Sequence, residues 1–278
     1  MTAQYDQLGE FYDLAYGSAT PAHEQDFALY RRLANETGRT VLEMGSGTGR
    51  ICVPLAAEGI AVTGLELSSA MVRIAENKAA ALSSDQRACL RIINADMSGK
   101  LPAELSGESF GLVIFPYSAL LELETTDQVS RAVDNARRLL AGSGVLVIDN
   151  FHYGPGAAER PDGILRRGKC VNQPGGNVLQ FYETDFRSQR GNIIETERWL
   201  FADIINDNGL VIEHRLFIIK RMYLAPEQMR TILVQAGFSE QNITLWGSFD
   251  GTPFNAPAFT DENSKLYRKA RQVWVCRK

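Results

Sequence analysis

Cysteine, histidine and tryptophan are all scarce in this chain of 278 residues, and neither a basic excess nor a long hydrophobic run is present. Its four cysteines, Cys52, Cys89, Cys170 and Cys276, lie far apart with no paired spacing. That spacing argues against a disulfide framework or a zinc site and fits small apolar residues in a reducing compartment. The formal charge of −4 gives the surface no general attraction for phosphate polymers, so nucleic acid is not an expected partner. The local basic cluster Arg166, Arg167 and Lys169 reads as a surface loop. No stretch reaches the roughly 20 apolar residues needed to cross a bilayer. The opening MTAQYDQLGEFYDLAYG shows no basic start followed by an apolar run, which sets the expectation of a cytoplasmic protein without a membrane partner.

What is there alternates. Residues 22–36 carry Phe27, Tyr30 and Leu33 at helical spacing. The apolar runs 40–44, 60–66, 89–96, 110–116 and 145–151 read as strands. Helical stretches separate them over about 50–58, from Ser68 or Ser69 to about 81, and over 127–140, the last ending near Gly142 and Gly144. Continuous apolar strands alternating with helices predict an α/β fold, a doubly wound and mostly parallel sheet covered on both faces. The pattern changes after Phe151. Residues 154–176, rich in Gly and Pro, read as a loop, and strand-like runs follow at about 177–187, 192–205 and 210–222. Asn208-Gly209 is a strong hairpin signal between the last two. Pro226 opens a helix that stops at Gly237, and 242–249 and 272–278 are closing strands. The expected organisation is a core of residues 1–153 and 222–278 with an antiparallel flap, 154–221, inserted into it.

The most informative segment is VLEMGSGTGR, residues 41–50. Gly45, Gly47 and Gly49 follow an apolar strand and precede a helix, so a turn without Cβ atoms lets a ligand approach the backbone. Amides at the helix start suit a carboxylate or other anion. A dinucleotide fingerprint needs glycine at position 50, where this chain has Arg50. Glu66 ends the second strand, where a carboxylate offers two acceptor oxygens to a pair of ribose hydroxyls.

The ordered pattern Glu43-x-Gly45-x-Gly47-x-Gly49 resembles the first motif of class I S-adenosylmethionine-dependent methyltransferases, with Ser46 where cysteine is common. The resemblance covers most of residues 5–150 and 222–278 and implies a seven-stranded Rossmann-like sheet binding S-adenosyl-L-methionine. It implies that Glu43 helps hold the methionine end of the cofactor beside Ser46 and Arg50 of the turn. Leu67 would lie against the adenine face with Met71 nearby, Asp96 would receive the adenine amino group, and Met97 would pack on the ring. Tyr12 or Tyr16 would fold over the methionine end. Plain packing of these tyrosines is the competing reading.

Methyl transfer from a sulfonium is an in-line displacement in which positioning supplies much of the rate. Acceptor-side groups are expected at the strand ends facing the crevice: Phe115, Pro116, Tyr117 and Ser118, then Asp149, Asn150 and His152. Phe115 is counted with the cofactor set. His152 is the favoured base, since imidazole titrates near neutral pH, and Tyr12 is the second catalytic candidate; His23 and His214 have weaker claims. Asp149-Asn150 resembles part of the metal site of catechol-type O-methyltransferases, but one carboxylate and one amide are too few hard ligands, so no metal is expected. Phe115-Pro116-Tyr117 lacks the polar residue of the base-amino methyltransferase loop, having Ile114 there. The expected activity is N- or O-methylation of a small-molecule metabolite. A NAD(P)-type oxidoreductase and a non-catalytic S-adenosylmethionine-binding module are the alternatives. The flap reads as a lid over the acceptor or as a homodimer contact.

Overall fold

The computed structural model describes residues 4–17, 21–153, 163–254 and 269–278, with the side chains of residues 21, 22, 152, 174, 269 and 270 outside the description. Two N-terminal helices, α1 (Phe11–Tyr16) and α2 (Pro21–Glu36), lead into the alternating core. Its elements are β1 (Thr40–Met44), α3 (Cys52–Ala57), β2 (Ala61–Glu66), α4 (Ser69–Ala79), α5 (Ser84–Ala88), β3 (Leu90–Asn94), β4 (Phe110–Phe115), α6 (Thr126–Leu139) and β5 (Leu140–Tyr153). Four strands then form a separate antiparallel sheet: β6 (Arg166–Asn172), β7 (Val178–Arg190), β8 (Ile193–Ile205) and β9 (Val211–Leu224). Helix α7 (Pro226–Gln235) returns the chain to the core, which closes with β10 (Ile243–Trp246) and β11 (Lys269–Arg277).

The seven-stranded sheet has the order β10-β11-β5-β4-β1-β2-β3, parallel from β5 to β3 and antiparallel through β11. The chain reverses direction across the sheet between β1 and β4, and in a doubly wound sheet the crevice at that reversal is where ligands bind. Every residue of β4 is buried, as a strand covered on both faces must be. One face packs Val129, Val133, Ala136 and Met229 of α6 and α7. The other packs Leu29, Tyr30 and Leu33 of α2 with Leu55 of α3. Ser68 caps α4 by accepting from the Met71 amide, and Thr125 with Gln128 closes a capping box on α6.

The four-stranded sheet turns its inner face, Leu179, Phe181, Leu200, Ala202, Phe217 and Ile219, onto Leu8 and Phe11 of the N-terminal segment. That segment therefore lies between the second sheet and the core. Three sequence expectations change here. Residues 166–172 are not loop but an edge strand paired with β7, and its register shifts between Arg167 and Cys170. The irregularity around Gly168, where a Cβ would sit 3.2 Å from the Phe181 carbonyl oxygen, breaks the alternation that identifies a strand. Arg166, Arg167 and Lys169 accordingly belong to this strand. Helix α6 passes into β5 directly at Leu140, whose extended backbone ends the helix before either glycine. The strand expected over 242–249 stops at Trp246.

Gly111 in β4 lies against the loop after α2, where an added Cβ would fall 1.7 Å from the Thr37 carbonyl oxygen; Gly142 has nothing within 4 Å. Overpacking a rigid site costs about 1–3 kcal/mol. Gly111→Ala should lower the free energy of unfolding by at least that amount, read as a fall in the urea midpoint, whereas Gly142→Ala should leave the midpoint unchanged.

Candidate cofactor and acceptor site

At the carboxyl ends of β1 and β4 the structure encloses a cavity of about 500 Å³. Its floor is the turn after β1. The amides of Gly45 and Ser46 donate to the Leu65 carbonyl, at 2.8 and 2.9 Å, tying the turn to β2. The three glycines, all at positive φ, serve different ends. A Cβ at Gly45 would meet Ala119 at 2.9 Å, and one at Gly49 would meet Val53 at 2.8 Å and Ala75 at 3.1 Å, so both permit close packing. Gly47 has nothing within 4 Å of its Cβ position and lines the cavity. Its missing side chain leaves room for a ligand.

Glu66 reaches across from β2. One carboxylate oxygen accepts from the Gly47 amide and the other from the Ser68 amide, each at 2.8 Å. Burial raises its pKa, while these two amides oppose the shift. Glu43 is deeper and only 2% exposed. Its Oε2 has no hydrogen-bond partner, and burial pushes the carboxyl up to about 8 against the pull of Arg50. Arg50 is itself held by a two-pronged ion pair to the buried Asp26, at 2.8 and 3.1 Å, and lies 5.2 Å over the Tyr117 ring. A buried carboxyl with an unfilled oxygen facing a cavity is a receptor for a cation or donor.

The far wall is Leu67, Met71, Ala95, Asp96 and Met97. One Asp96 oxygen accepts from the Ser98 amide and hydroxyl at 2.7 and 2.8 Å, which fixes the carboxylate. Asn94 donates to the Glu66 and Leu67 carbonyls, both at 2.8 Å, and holds that wall to the end of β2. The N-terminal segment forms the roof. Asp13 accepts from the Thr48 hydroxyl at 2.7 Å and pairs with Lys78 at 2.6 Å, so helix α1 is clasped to the glycine turn and to α4. Asp6 accepts from the Ser68 hydroxyl at 2.6 Å. Tyr5, Tyr12 and Tyr16 form a ladder of ring contacts at 5.6 and 5.2 Å and line the cavity.

At the other end, β9 and the turn after β4 meet. Arg221 donates to Glu122 at 2.8 Å and to the Tyr5 hydroxyl at 3.1 Å, and Tyr5 donates to Glu122 at 2.7 Å. Tyr117 and Ser118 adopt positive φ in succession, at 50° and 69°. This costs strain that the surroundings must hold. Asp149 holds it: its carboxylate accepts from the Tyr117 amide at 3.1 Å and its carbonyl from the Ser118 amide at 2.7 Å. The other Asp149 oxygen takes Arg271 at 2.6 Å, so this carboxylate is committed to structure.

The chain's relatives agree with this architecture. A family profile described as Methyltransferase domain matches residues 41–144, from the glycine turn to the start of β5. Over this segment the chain is similar to methyltransferase domains. A curated protein of Geobacillus sp. (strain WCH70), named "Putative methyltransferase GWCH70_2453", is 29% identical over 148 residues, covering 52% of this chain and 56% of that protein. The chain thus spans about half the length of the curated relatives it matches, 56% and 42%. Among solved structures, the CcbJ methyltransferase from Streptomyces caelestis matches with a TM-score of 0.72 at 20% identity, covering 99% of this chain and 97% of that one. CalS10 from Micromonospora echinaspora, an amino pentose methyltransferase solved with SAM bound, matches with a TM-score of 0.65 at 19% identity over 96% of both chains. At such identities these likenesses establish the fold, including the antiparallel sheet beside the core.

The cavity brings together Tyr12, Tyr16, Glu43, Gly45, Ser46, Gly47, Arg50, Glu66, Leu67, Met71, Asp96 and Met97. Gly49 packs behind the turn, and Phe115 is fully buried in the core, not on the cavity wall. The backbone of His152 pairs with Ala270 in the sheet, and its side chain lies outside the described residues. His23 lines the cavity, 5.2 Å from the Tyr117 ring, while His214 is exposed beside Asp203 on the second sheet. Of the flap aromatics, Phe181 faces the N-terminal segment, and none of Phe181, Tyr182, Trp199 and Phe201 lines the cavity. The residues missed from sequence are Asp13, Thr48, Lys78, Glu122 and Arg221, whose partners lie 30 to 216 positions away.

Because the folded protein favours protonated Glu43, folding loses stability as pH rises from the ordinary carboxyl range through about 8. Glu43→Gln removes that loss. Its urea midpoint should exceed the parent's at pH 8.5, and the difference should shrink towards pH 5.

Proposed function

We propose that the chain is an S-adenosylmethionine-dependent methyltransferase whose acceptor is a small molecule carrying a nucleophilic nitrogen or oxygen. The observation that carries the reading is the open Cβ space at Gly47, directly beside a Glu66 carboxylate anchored by two backbone amides. The residues fit the cofactor. Glu66 retains lone pairs for two ribose hydroxyls, since one backbone amide donates to each oxygen. Leu67 and Met97 supply apolar surface for a flat base, and the second Asp96 oxygen is available to an amino group. Glu43, buried with an empty acceptor position, suits the ammonium of an aminoacyl tail, and Arg50 lies within reach of its carboxylate.

When bound, S-adenosylmethionine would supply an electrophilic methyl group. The protein's work is then to hold, orient and keep dry. The Asp13–Thr48–Lys78 clasp shuts α1 over the glycine turn, and the tyrosine ladder excludes water from the reacting end. Tyr12 is a poor base near neutral pH, because burial, and after it the nearby Tyr117, raise its pKa further. His23 is better placed to move a proton than the sequence alone indicates.

Residues 154–221 read as a flap inserted into a core of 1–153 and 222–278 and backing the N-terminal roof, since strand β9 contributes Arg221 to the cavity wall. This favours a lid over a homodimer contact. The acidic surface and the absence of any long apolar helix among the described residues are consistent with a cytoplasmic setting and a small-molecule partner. A nicotinamide enzyme is disfavoured by Arg50, which fills the site of the last fingerprint glycine.

Calorimetry should show binding of S-adenosylmethionine and S-adenosylhomocysteine but not NAD. Gly47→Val, folded by circular dichroism, should weaken both by at least about tenfold, or 1.4 kcal/mol. Failure of both nucleosides to bind, or an unaltered affinity in folded Gly47→Val, contradicts the proposal.

A further inference from the structure

Behind the glycine turn lies a closed cluster of ionisable side chains. Asp26 of α2 and Asp149 of β5 are buried, and each has its own cation. Arg50 meets Asp26 at 2.8 Å and Arg271 of β11 meets Asp149 at 2.6 Å, so these four charges cancel in two pairs. Asp149, although burial pushes it up to about 6, is ionised at pH 7 beside Arg271. Tyr30 of α2 and Cys52 of α3 stay neutral, because burial raises both pKa values. Glu43 of β1 is the member left over. It is buried, and its Oε2 has no hydrogen-bond partner among the described residues.

A fifth charge in this cluster would be uncompensated. Burial opposes the ionised form of Glu43 most strongly and Asp26 adds to it, while Arg50 and hydrogen bonds from Cys52 pull the other way. Burial wins, and the carboxyl is pushed up to about 8. Glu43 also lines the cavity, at the end where the glycine turn forms the floor. A cation arriving there meets a carboxyl whose charge is suppressed for want of a partner.

Resting on the methyltransferase reading, we infer that Glu43 surrenders its proton to admit the aminoacyl tail of the nucleoside: the carboxyl is neutral in the empty cavity and ionises as the tail's ammonium settles against it. The O–H bond of Glu43 breaks with its electron pair staying on the oxygen, and the proton passes to solvent. The ammonium keeps its three protons, and no oxidant or reductant takes part. The new pair gives the cluster three cations for three carboxylates. Because the bound state holds fewer protons than the empty one, affinity rises with pH towards about 8 and levels off above it. A nucleoside without the tail escapes this dependence.

The test is calorimetry on the full chain with two probes, S-adenosylhomocysteine and 5′-methylthioadenosine, which shares the thioether nucleoside but lacks the aminoacyl tail. At pH 7, titrations in two buffers of different ionisation enthalpy count the protons exchanged. S-adenosylhomocysteine should release between about 0.5 and 1 proton per site, and 5′-methylthioadenosine close to none. Affinity for S-adenosylhomocysteine should be at least about tenfold weaker at pH 6 than at pH 8, with that for 5′-methylthioadenosine unchanged within about twofold. At pH 7 an infrared band of a protonated carboxyl should be present in the empty protein and vanish on saturation with S-adenosylhomocysteine. The same band should be missing from Glu43→Gln, whatever that variant's affinity. Proton release that persists in Glu43→Gln, equal pH dependence for both nucleosides, or no release at all overturns the inference while leaving the methyltransferase reading standing. Failure of S-adenosylhomocysteine to bind instead removes the reading beneath it.

Discussion

The carboxylate of Glu66 joins two loops that must be aligned for the cavity to exist. One oxygen takes the Gly47 amide in the turn after β1, and the other takes the Ser68 amide at the start of α4. Those amides come from segments with different local preferences: a glycine turn at positive φ, and a capped helix start. A single side chain fixes their separation and leaves its remaining lone pairs facing the cavity. Breaking it would leave backbone donors without partners and displace the ligand-facing glycine, so structure and recognition are coupled there.

Around this contact the chain arranges charge in pairs. Arg50 with Asp26, Lys78 with Asp13, Arg221 with Glu122 and Arg271 with Asp149 each couple a core element to another layer. Two of the carboxylates, Asp26 and Asp149, are buried, so removing either cation would leave an uncompensated charge. The pairs' value lies in position. The Lys78 pair draws helix α1 down onto the glycine turn, and the Arg221 pair brings strand β9 to the same cavity. The Asp149 carboxylate keeps Tyr117 and Ser118 in a conformation that neither would choose alone. Glu43 has no such partner on its Oε2, and burial raises its pKa.

Much of the core was legible because it is written locally. The glycine turn, the strand before it and Glu66 lie within 26 residues of sequence, from Val41 to Glu66, and periodicity and turn chemistry place them without knowledge of the rest. The same holds for the Asn208-Gly209 hairpin and for α7 between Pro226 and Gly237. Strand β6 was not legible, because its bulge erases the alternation and only pairing with β7 makes it a strand. The clasp and the Glu122 cluster were hidden for another reason. Asp13 meets Thr48 35 positions away, and Tyr5 meets Arg221 216 positions away, so no local pattern announces either contact. Histidine shows the same limit: the fold brings His23 of α2 to the cavity beside Tyr117, a contact that no local pattern announces.

The most direct measurement is a crystal structure of the protein with S-adenosylhomocysteine. The account predicts both ribose hydroxyls on Glu66, the adenine between Leu67 and Met97, and the sulfur directed towards Tyr12 and Tyr117. A nucleoside bound with its ribose away from Glu66, or outside this cavity altogether, would contradict it.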